Sequence, residues 1–284
     1  MANARDNVPL FDHTLSEAVV PSIPSEGKVV HLTPEGLASY ADGEAVSTWV
    51  DASGSGNDAV AYKKYELPTV THNALNGHSV LTFSEKADAV LAIPDTDDFA
   101  GDVTWFVVFQ SKSIDNQSQY LLQNRNSHMM SSGISSKYKT VFSSFSRMKT
   151  DIHAMPAYND KFHILCLTWN GTDKGYLAQM VDGSSNVMYD AGEHLLRDQE
   201  MSSGDTTIGL NLHGAIAEVI IYNRALTNDE IAGVGLSLAE TYGLKWKGVN
   251  EENPDEDETA RKENDSANTP KYNWFNGILL GIIG

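Results

Sequence analysis

The run from Trp49 to Asn57, Trp-Val-Asp-Ala-Ser-Gly-Ser-Gly-Asn, sets oxygen-bearing side chains among glycines. Asp51 and Asn57 are residue types whose side chains bond to nearby backbone N–H groups, and Gly54 tolerates the backbone of a tight turn. The same oxygens could hold calcium, which takes about six to eight oxygen ligands. The spacing lacks the Asp-rich loop and the distal bidentate Glu of an EF-hand. A structural turn is expected, with calcium at Asp51 and Asn57 as the alternative and no other metal or cofactor implied.

Glu218 is the second carboxylate of interest, in the run Ile216-Ala-Glu-Val-Ile-Ile-Tyr222. Period-two alternation puts it on a face with Ile216, Ile220 and Tyr222. A carboxylate among such neighbours needs a partner, and Arg224 or backbone N–H groups are the expected ones. As a catalytic acid it would require a second carboxylate about 5–9.5 Å away. No candidate strand offers alternating acids, so a structural role is expected.

The nine histidines are scattered. None falls in a His-Glu-x-x-His run, no Gly-x-Ser-x-Gly elbow occurs, and Gly54-Ser-Gly56 lacks the rest of a phosphate-cradling loop. His163 reads as a strand residue tied into the fold. Two polar runs suit a ligand better. One is Asn124, Arg125, Asn126 and His128, with Tyr138 after it, and the other is Asn211 and His213. Amides, guanidinium, phenol and imidazole match the donors and acceptors of sugar hydroxyls, although each run reads more readily as a solvated loop. Trp49, Trp105 and Trp169 lie in apolar runs and are expected in the core.

Short β-type runs must position these groups. Ten are apparent: Ser79–Phe83, Ala89–Ile93, Val103–Gln110, Tyr120–Gln123, Thr140–Phe145, Phe162–Trp169, Gly175–Val181, Asn186–Tyr189, Thr206–Leu210 and Ile216–Tyr222. Turn dipeptides such as Asn76-Gly77 and Asp182-Gly183 separate them. Val103 to Phe109 is almost continuously apolar, so both its faces must be covered. One helix stands out. Thr227 and Glu230 form a capping box, Leu226 and Ile231 a hydrophobic staple, and Gly243 a stop. The expected fold is all-β, a two-sheet antiparallel sandwich with this short C-terminal helix packed outside.

At this level the motifs resemble a known family. Trp49 to Asn57, the strand from Gly77 to Phe83, Lys161 to Leu165 followed by Thr168 to Gly171, the Val181-Asp-Gly183 turn and Gly214 to Leu226 occur in the order found in laminin-G-like, concanavalin A-like jelly-roll domains. The resemblance covers roughly residues 28–244, with Phe162 where that family often has Trp. It implies a jelly roll whose members mostly bind glycans or protein ligands; some cleave polysaccharides and some bind calcium. Glycosidases of that architecture often carry acids alternating along one strand, and that pattern is missing here.

Charge and composition bound the rest. The chain has 284 residues, 20 Lys plus Arg against 38 Asp plus Glu, and a formal net charge of −18. Such acidity disfavours a nucleic-acid partner, which calls for a basic face. The single cysteine, Cys166, excludes an internal disulfide framework, and its apolar surroundings suggest a buried thiol. No apolar run approaches the roughly 20 residues of a membrane-spanning helix, and the first residues do not read as a secretory signal.

Four regions follow: an N-terminal arm over residues 1–26, the jelly-roll domain over 27–247, an acidic linker over 248–270 and an apolar tail over 271–284. Residues 250–270 hold eight acids and two bases, a net −6. The tail carries Trp274, Phe275, Ile278, Leu279, Leu280, Ile282 and Ile283. Each would gain roughly 1.5–3 kcal/mol from full burial, which suggests docking into a partner or assembly, with folding back or membrane contact as alternatives. The expectation is a non-catalytic, glycan-binding or adhesive module at a virion or extracellular surface, attached through the tail and oligomeric. A virus particle such as a phage needs no secretory signal for a decoration protein. The alternatives are a polysaccharide hydrolase or lyase and a purely structural assembly protein.

Overall fold

A computed structural model describes residues 19–84, 88–94, 101–112, 118–124, 130–134, 141–145, 160–170, 176–190 and 204–247. Within them the chain forms β1 (Lys28–Leu32), β2 (Thr48–Trp49), β3 (Ala59–Ala61), β4 (Thr69–Leu75), β5 (His78–Phe83), β6 (Leu91–Ile93), β7 (Val103–Ser111) and β8 (Gln119–Asn124). β9 (Met130–Ile134), β10 (Val141–Phe145), β11 (Phe162–Asn170), β12 (Tyr176–Val181), β13 (Ser184–Asp190), β14 (Thr206–Ile208) and β15 (Gly214–Tyr222) follow, and helix α1 (Asn228–Tyr242) comes last.

The strands form two antiparallel sheets, the jelly-roll sandwich expected. The first runs β13-β12-β11-β7-β15-β5-β4 with β1 also on β15, and the second β10-β9-β8-β14-β6-β3-β2. Sequence pattern missed β1 to β4 and β9. β9 is Met-Ser-Ser-Gly-Ile, whose polar middle carries no apolar signal. β7 shows why its sequence is apolar at consecutive positions. Trp105, Val107 and Phe109 face the core between the sheets, while Phe106 and Val108 face a second core under α1. β11 and β15 pair with its two edges and the two cores cover its two faces, so β7 is enclosed on every side.

Trp49, Trp105 and Trp169 are all fully buried in the inter-sheet core. Cys166 is buried on the helix side, and burial pushes its thiol up to about 12, so it stays an unreactive thiol.

Helix α1 begins as its sequence says. Thr227 Oγ1 accepts from the Glu230 N–H at 3.3 Å, and Glu230 Oε2 accepts from the Thr227 N–H at 2.9 Å. Gly243 ends the helix at φ 64°, and the Leu244 N–H bonds back to the Ala239 carbonyl at 2.9 Å. Two chain segments then cross the helix. The Ser22 N–H donates to the Gly233 carbonyl at 3.0 Å, and Tyr222 Oη donates to the Pro24 carbonyl at 3.1 Å. The end of the N-terminal arm is therefore packed onto the domain. On the other side Trp246 lies against Gly235 and the Phe106 ring, and the Lys247 N–H bonds to the Asp182 carbonyl at 2.9 Å.

Gly235→Ala should destabilise the protein even though alanine favours helices. A Cβ there would collide with the Trp246 indole. Overpacking outweighs the propensity gain, for a net loss of roughly 1–2 kcal/mol in urea unfolding. A second test uses Glu230, which the Arg224 hydrogen bonds hold down at about 2, against an ordinary value of 4.5, despite partial burial. Because the folded value is depressed, this stability is present above pH 4.5 and lost as pH falls towards 2. Glu230→Gln should lower stability at neutral pH and flatten its pH dependence across that window.

Candidate functional site

Asp51 bridges back to Leu32 of β1 and sits where the chain leaves β2. Its carboxylate is almost wholly occupied by the protein. Oδ1 accepts from the His31 N–H at 2.8 Å and the Ser53 N–H at 2.9 Å. Oδ2 accepts from Ser53 Oγ at 2.6 Å and the Asn57 N–H at 3.1 Å. Asn57 Nδ2 donates to the Val29 carbonyl at 2.8 Å. Gly54 and Gly56 take positive φ. Burial alone would raise the Asp51 carboxyl, but the hydrogen bonds from Ser53, His31 and Asn57 outweigh it and hold the group below its ordinary value. The motif is a clamp that fastens the turn to β1. Among the described residues no group of three or more His, Cys, Asp or Glu is placed to hold a metal.

Glu218 departs from its expected surroundings in two ways. The pairing of β15 with β7 shifts between Ile216 and Glu218, so Ala217 is an inserted, bulged residue. Ile216 consequently faces the inter-sheet core, while Glu218 lies on the helix side with Ile220 and Tyr222. Nor is Arg224 its partner. Arg224 is bidentate to Glu230, at 2.6 and 2.8 Å. Glu218 instead accepts from Tyr242 Oη at 2.5 Å and lies 2.7 Å from His31 Nε2. Lys28 Nζ lies 3.4 Å from His31 Nδ1, which assigns the Nε2 proton to the Glu218 bond and leaves Nδ1 to accept from the lysine. Burial first, then the Glu218 charge and hydrogen bond, push the Tyr242 phenol far up.

The expected ligand residues do not form one group. Asn124 ends β8 opposite Thr206 of β14, whereas at the other end Gln119 Oε1 accepts from the His213 N–H at 3.1 Å. Five residues of strand, roughly 17 Å, separate them. Asn124 is fully buried and donates to the Gly204 carbonyl at 2.9 Å and Thr206 Oγ1 at 3.2 Å, so it fixes a strand end instead of facing outward. Asn211 adopts φ 57° and is half-buried. Arg125, Asn126, His128, Tyr138 and all seven tail residues lie outside the described residues. His163 is tied in as expected, with Nδ1 2.7 Å from Asp182 Oδ2.

A further group was not legible from the sequence. Tyr62 follows β3 and is buried with Val90 and Ala92 in a small cluster on the second sheet, rimmed by Tyr65 and Leu210. Ala92 lies between inward-facing Leu91 and Ile93, which puts this cluster on the outer face. The Tyr62 and Tyr65 rings stack at 5.8 Å with 13° between planes, and Lys63 Nζ lies 4.3 Å from the Tyr62 centroid. Asn211 follows Leu210 directly. The only sequence signal was two tyrosines three apart flanking two lysines.

No family model and no curated protein matches the chain. Solved structures do. A botulinum neurotoxin type C structure, described by a dependence on interaction with two ganglioside molecules, superposes with TM-score 0.53 at 14% identity. It covers 75% of this chain and 52% of its own. The binding domain of botulinum neurotoxin serotype D/C gives 0.52 at 16% identity, covering 75% and 53%. Trypanosoma rangeli sialidase in complex with sialic acid gives 0.50 at 16%, covering 81% of this chain and 37% of its own. The chain thus spans about half of the toxin structures and little more than a third of the sialidase, and the likeness is one of β-sandwich fold.

Glu218→Gln should be destabilising despite its equal size. Tyr242 and His31 both donate to Glu218, and an amide offers them one oxygen and one competing donor. The expected loss is about 1–3 kcal/mol in urea unfolding. Asp51→Ala should cost about 2–5 kcal/mol, since it strands several N–H groups. The wild-type melting temperature should be the same in calcium and in chelator, because the Asp51 oxygens are already engaged.

Proposed function

We propose that this chain is a non-catalytic recognition module. Its sandwich binds saccharide, and its C-terminal segment holds it to a larger assembly such as the surface of a virus particle. The observation that carries the reading is the division of its chemistry. Glu218 and Asp51, the carboxylates best placed to react, are consumed by contacts that hold the fold. Tyr62 and Tyr65, in contrast, bring stacked rings to the outer side of the second sheet, in a cluster whose Leu210 directly precedes Asn211 in the chain. Sugars present C–H patches and hydroxyls together, and aromatic rings with polar tips suit them.

The neighbours support the same reading. Gangliosides for the neurotoxin and sialic acid for the sialidase are both glycan chemistries on chains that share this architecture. The order of laminin-G-like motifs in the sequence agrees with it. For attachment, the acidic stretch of residues 250–270 acts as a self-repelling spacer, and the apolar residues from Trp274 to Ile283 as the anchor.

A glycan array probed with the full chain tests the recognition. Specific binding to a subset of glycans is expected, without turnover. Release of reducing sugar from a polysaccharide panel would assign the chain to hydrolases or lyases instead. Deletion of residues 271–284 should leave the urea transition unchanged and abolish incorporation into the assembly with which the full chain purifies. Undiminished incorporation would remove the tail from that role.

A further inference from the structure

We propose that Tyr65, backed by Tyr62 and flanked by Lys63 and Lys64, is the saccharide platform, and that its ligand is an anionic sugar, a pyranose bearing carboxylate or sulfate. The inference rests on the recognition reading above and adds to it the site and the ligand class. Three independent observations converge on this turn.

The first is rigidity. Tyr62 is buried against Val90 and Ala92, and the half-buried Tyr65 is stacked on it within 13° of parallel. The Tyr65 N–H also bonds to the Tyr62 carbonyl at 3.1 Å. A ring held this way has little freedom left to lose when a sugar face settles on it.

The second is charge. Lys63 and Lys64 are exposed, and neither has a carboxylate partner among the described residues. Between residues 59 and 68 the sequence holds one acid, Glu66, with Asp58 just before that stretch and Asp88 brought near by the Glu66 N–H bond to its carbonyl, in a chain whose net charge is −18. Two adjacent lysines, the first with its ammonium over the Tyr62 ring, directly precede Tyr65, and they suit an anionic substituent on the sugar.

The third is backbone. Lys63 adopts φ 53°, a left-handed conformation in which glycine or asparagine is far easier to place than a long side chain. The turn keeps lysine there, and its ammonium lies over the Tyr62 ring.

The test measures full-chain binding to matched glycan sets: neutral, uronate- or sialate-bearing, and sulfated. Near-UV circular dichroism checks that each variant is folded. The wild type should prefer the anionic sets, and the carboxylated and sulfated arms separate the two sources of charge. Tyr65→Ala should weaken binding about tenfold, the scale of one aromatic contact, and Tyr65→Phe should retain it. The double variant Lys63→Ala/Lys64→Ala should lose about tenfold on anionic glycans and nothing on their neutral parents. Lys245→Ala, an exposed lysine beyond the helix, should change neither. If the wild type binds glycans and these variants bind within twofold of it, the platform is wrong while the recognition reading stands. Equal or stronger binding to neutral glycans would overturn the ligand class. No glycan binding by the wild type would overturn the recognition reading itself.

Discussion

The pivot of this structure is a buried carboxylate shared by three elements. Glu218 of β15 takes the Tyr242 phenol from the end of α1 and the His31 imidazole from β1. Tyr242 and His31 stand 24 and 187 positions from it in sequence. A carboxylate with so little solvent is costly unless both oxygens find donors, so the site enforces an all-or-none geometry. β1 must add to β15 in one register, and α1 must end at one place over the sheet. The bulge at Ala217 is the condition for this, because it turns Glu218 to the helix side. Stability and specificity of the outer layer thus depend on one inserted residue and one charge.

That constraint divides the molecule's surfaces. The helix side of the first sheet is filled by α1, by the arm crossing at Gly233 and by Trp246 crossing at Gly235. The two helix glycines are there for those crossings, where a side chain would strike the passing chain. Lys247 is pinned to the Asp182-Gly183 turn. Among the described residues the outer face of the second sheet stays uncovered by α1, and there Tyr62 anchors a turn that Tyr65 and the lysines complete. The His163–Asp182 pair and the Asp51 clamp likewise fasten turns and strands, so the polar residues with the shortest contacts are mostly structural.

Much of this was legible in the sequence where the signal is local. The Thr227–Glu230 box, the stop at Gly243, the double-sided β7 and the Asp51 turn each depend on residues within a few positions. Glu218 shows where local reading ends. Counting by twos cannot see a bulge, so Ile216 was placed on the wrong face and Arg224 named in place of His31 and Tyr242. Asn124 and Asn211 read alike as polar residues at strand ends, and only the tertiary structure reveals that Asn124 is fully buried where Asn211 is half-buried. Tyr62 and Tyr65 sit in a turn with no period, and the residues that give them meaning, Val90, Ala92 and Leu210, come from β-strands and loops far along the chain.

The net charge can mislead about recognition for a related reason. A third of the −18 lies in residues 250–270, a segment distinct in composition from the domain. At physiological ionic strength fields between exposed charges fade over about 8 Å, so a ligand against the second sheet senses mainly the charges beside it. Beside Tyr65 those include Lys63 and Lys64 as well as Glu66, and the two ammonium groups act at contact range where screening is weakest. An acidic protein can therefore hold an anionic sugar without contradiction, provided the cations are placed by a rigid turn. The left-handed backbone at Lys63 is the local strain through which this turn places them.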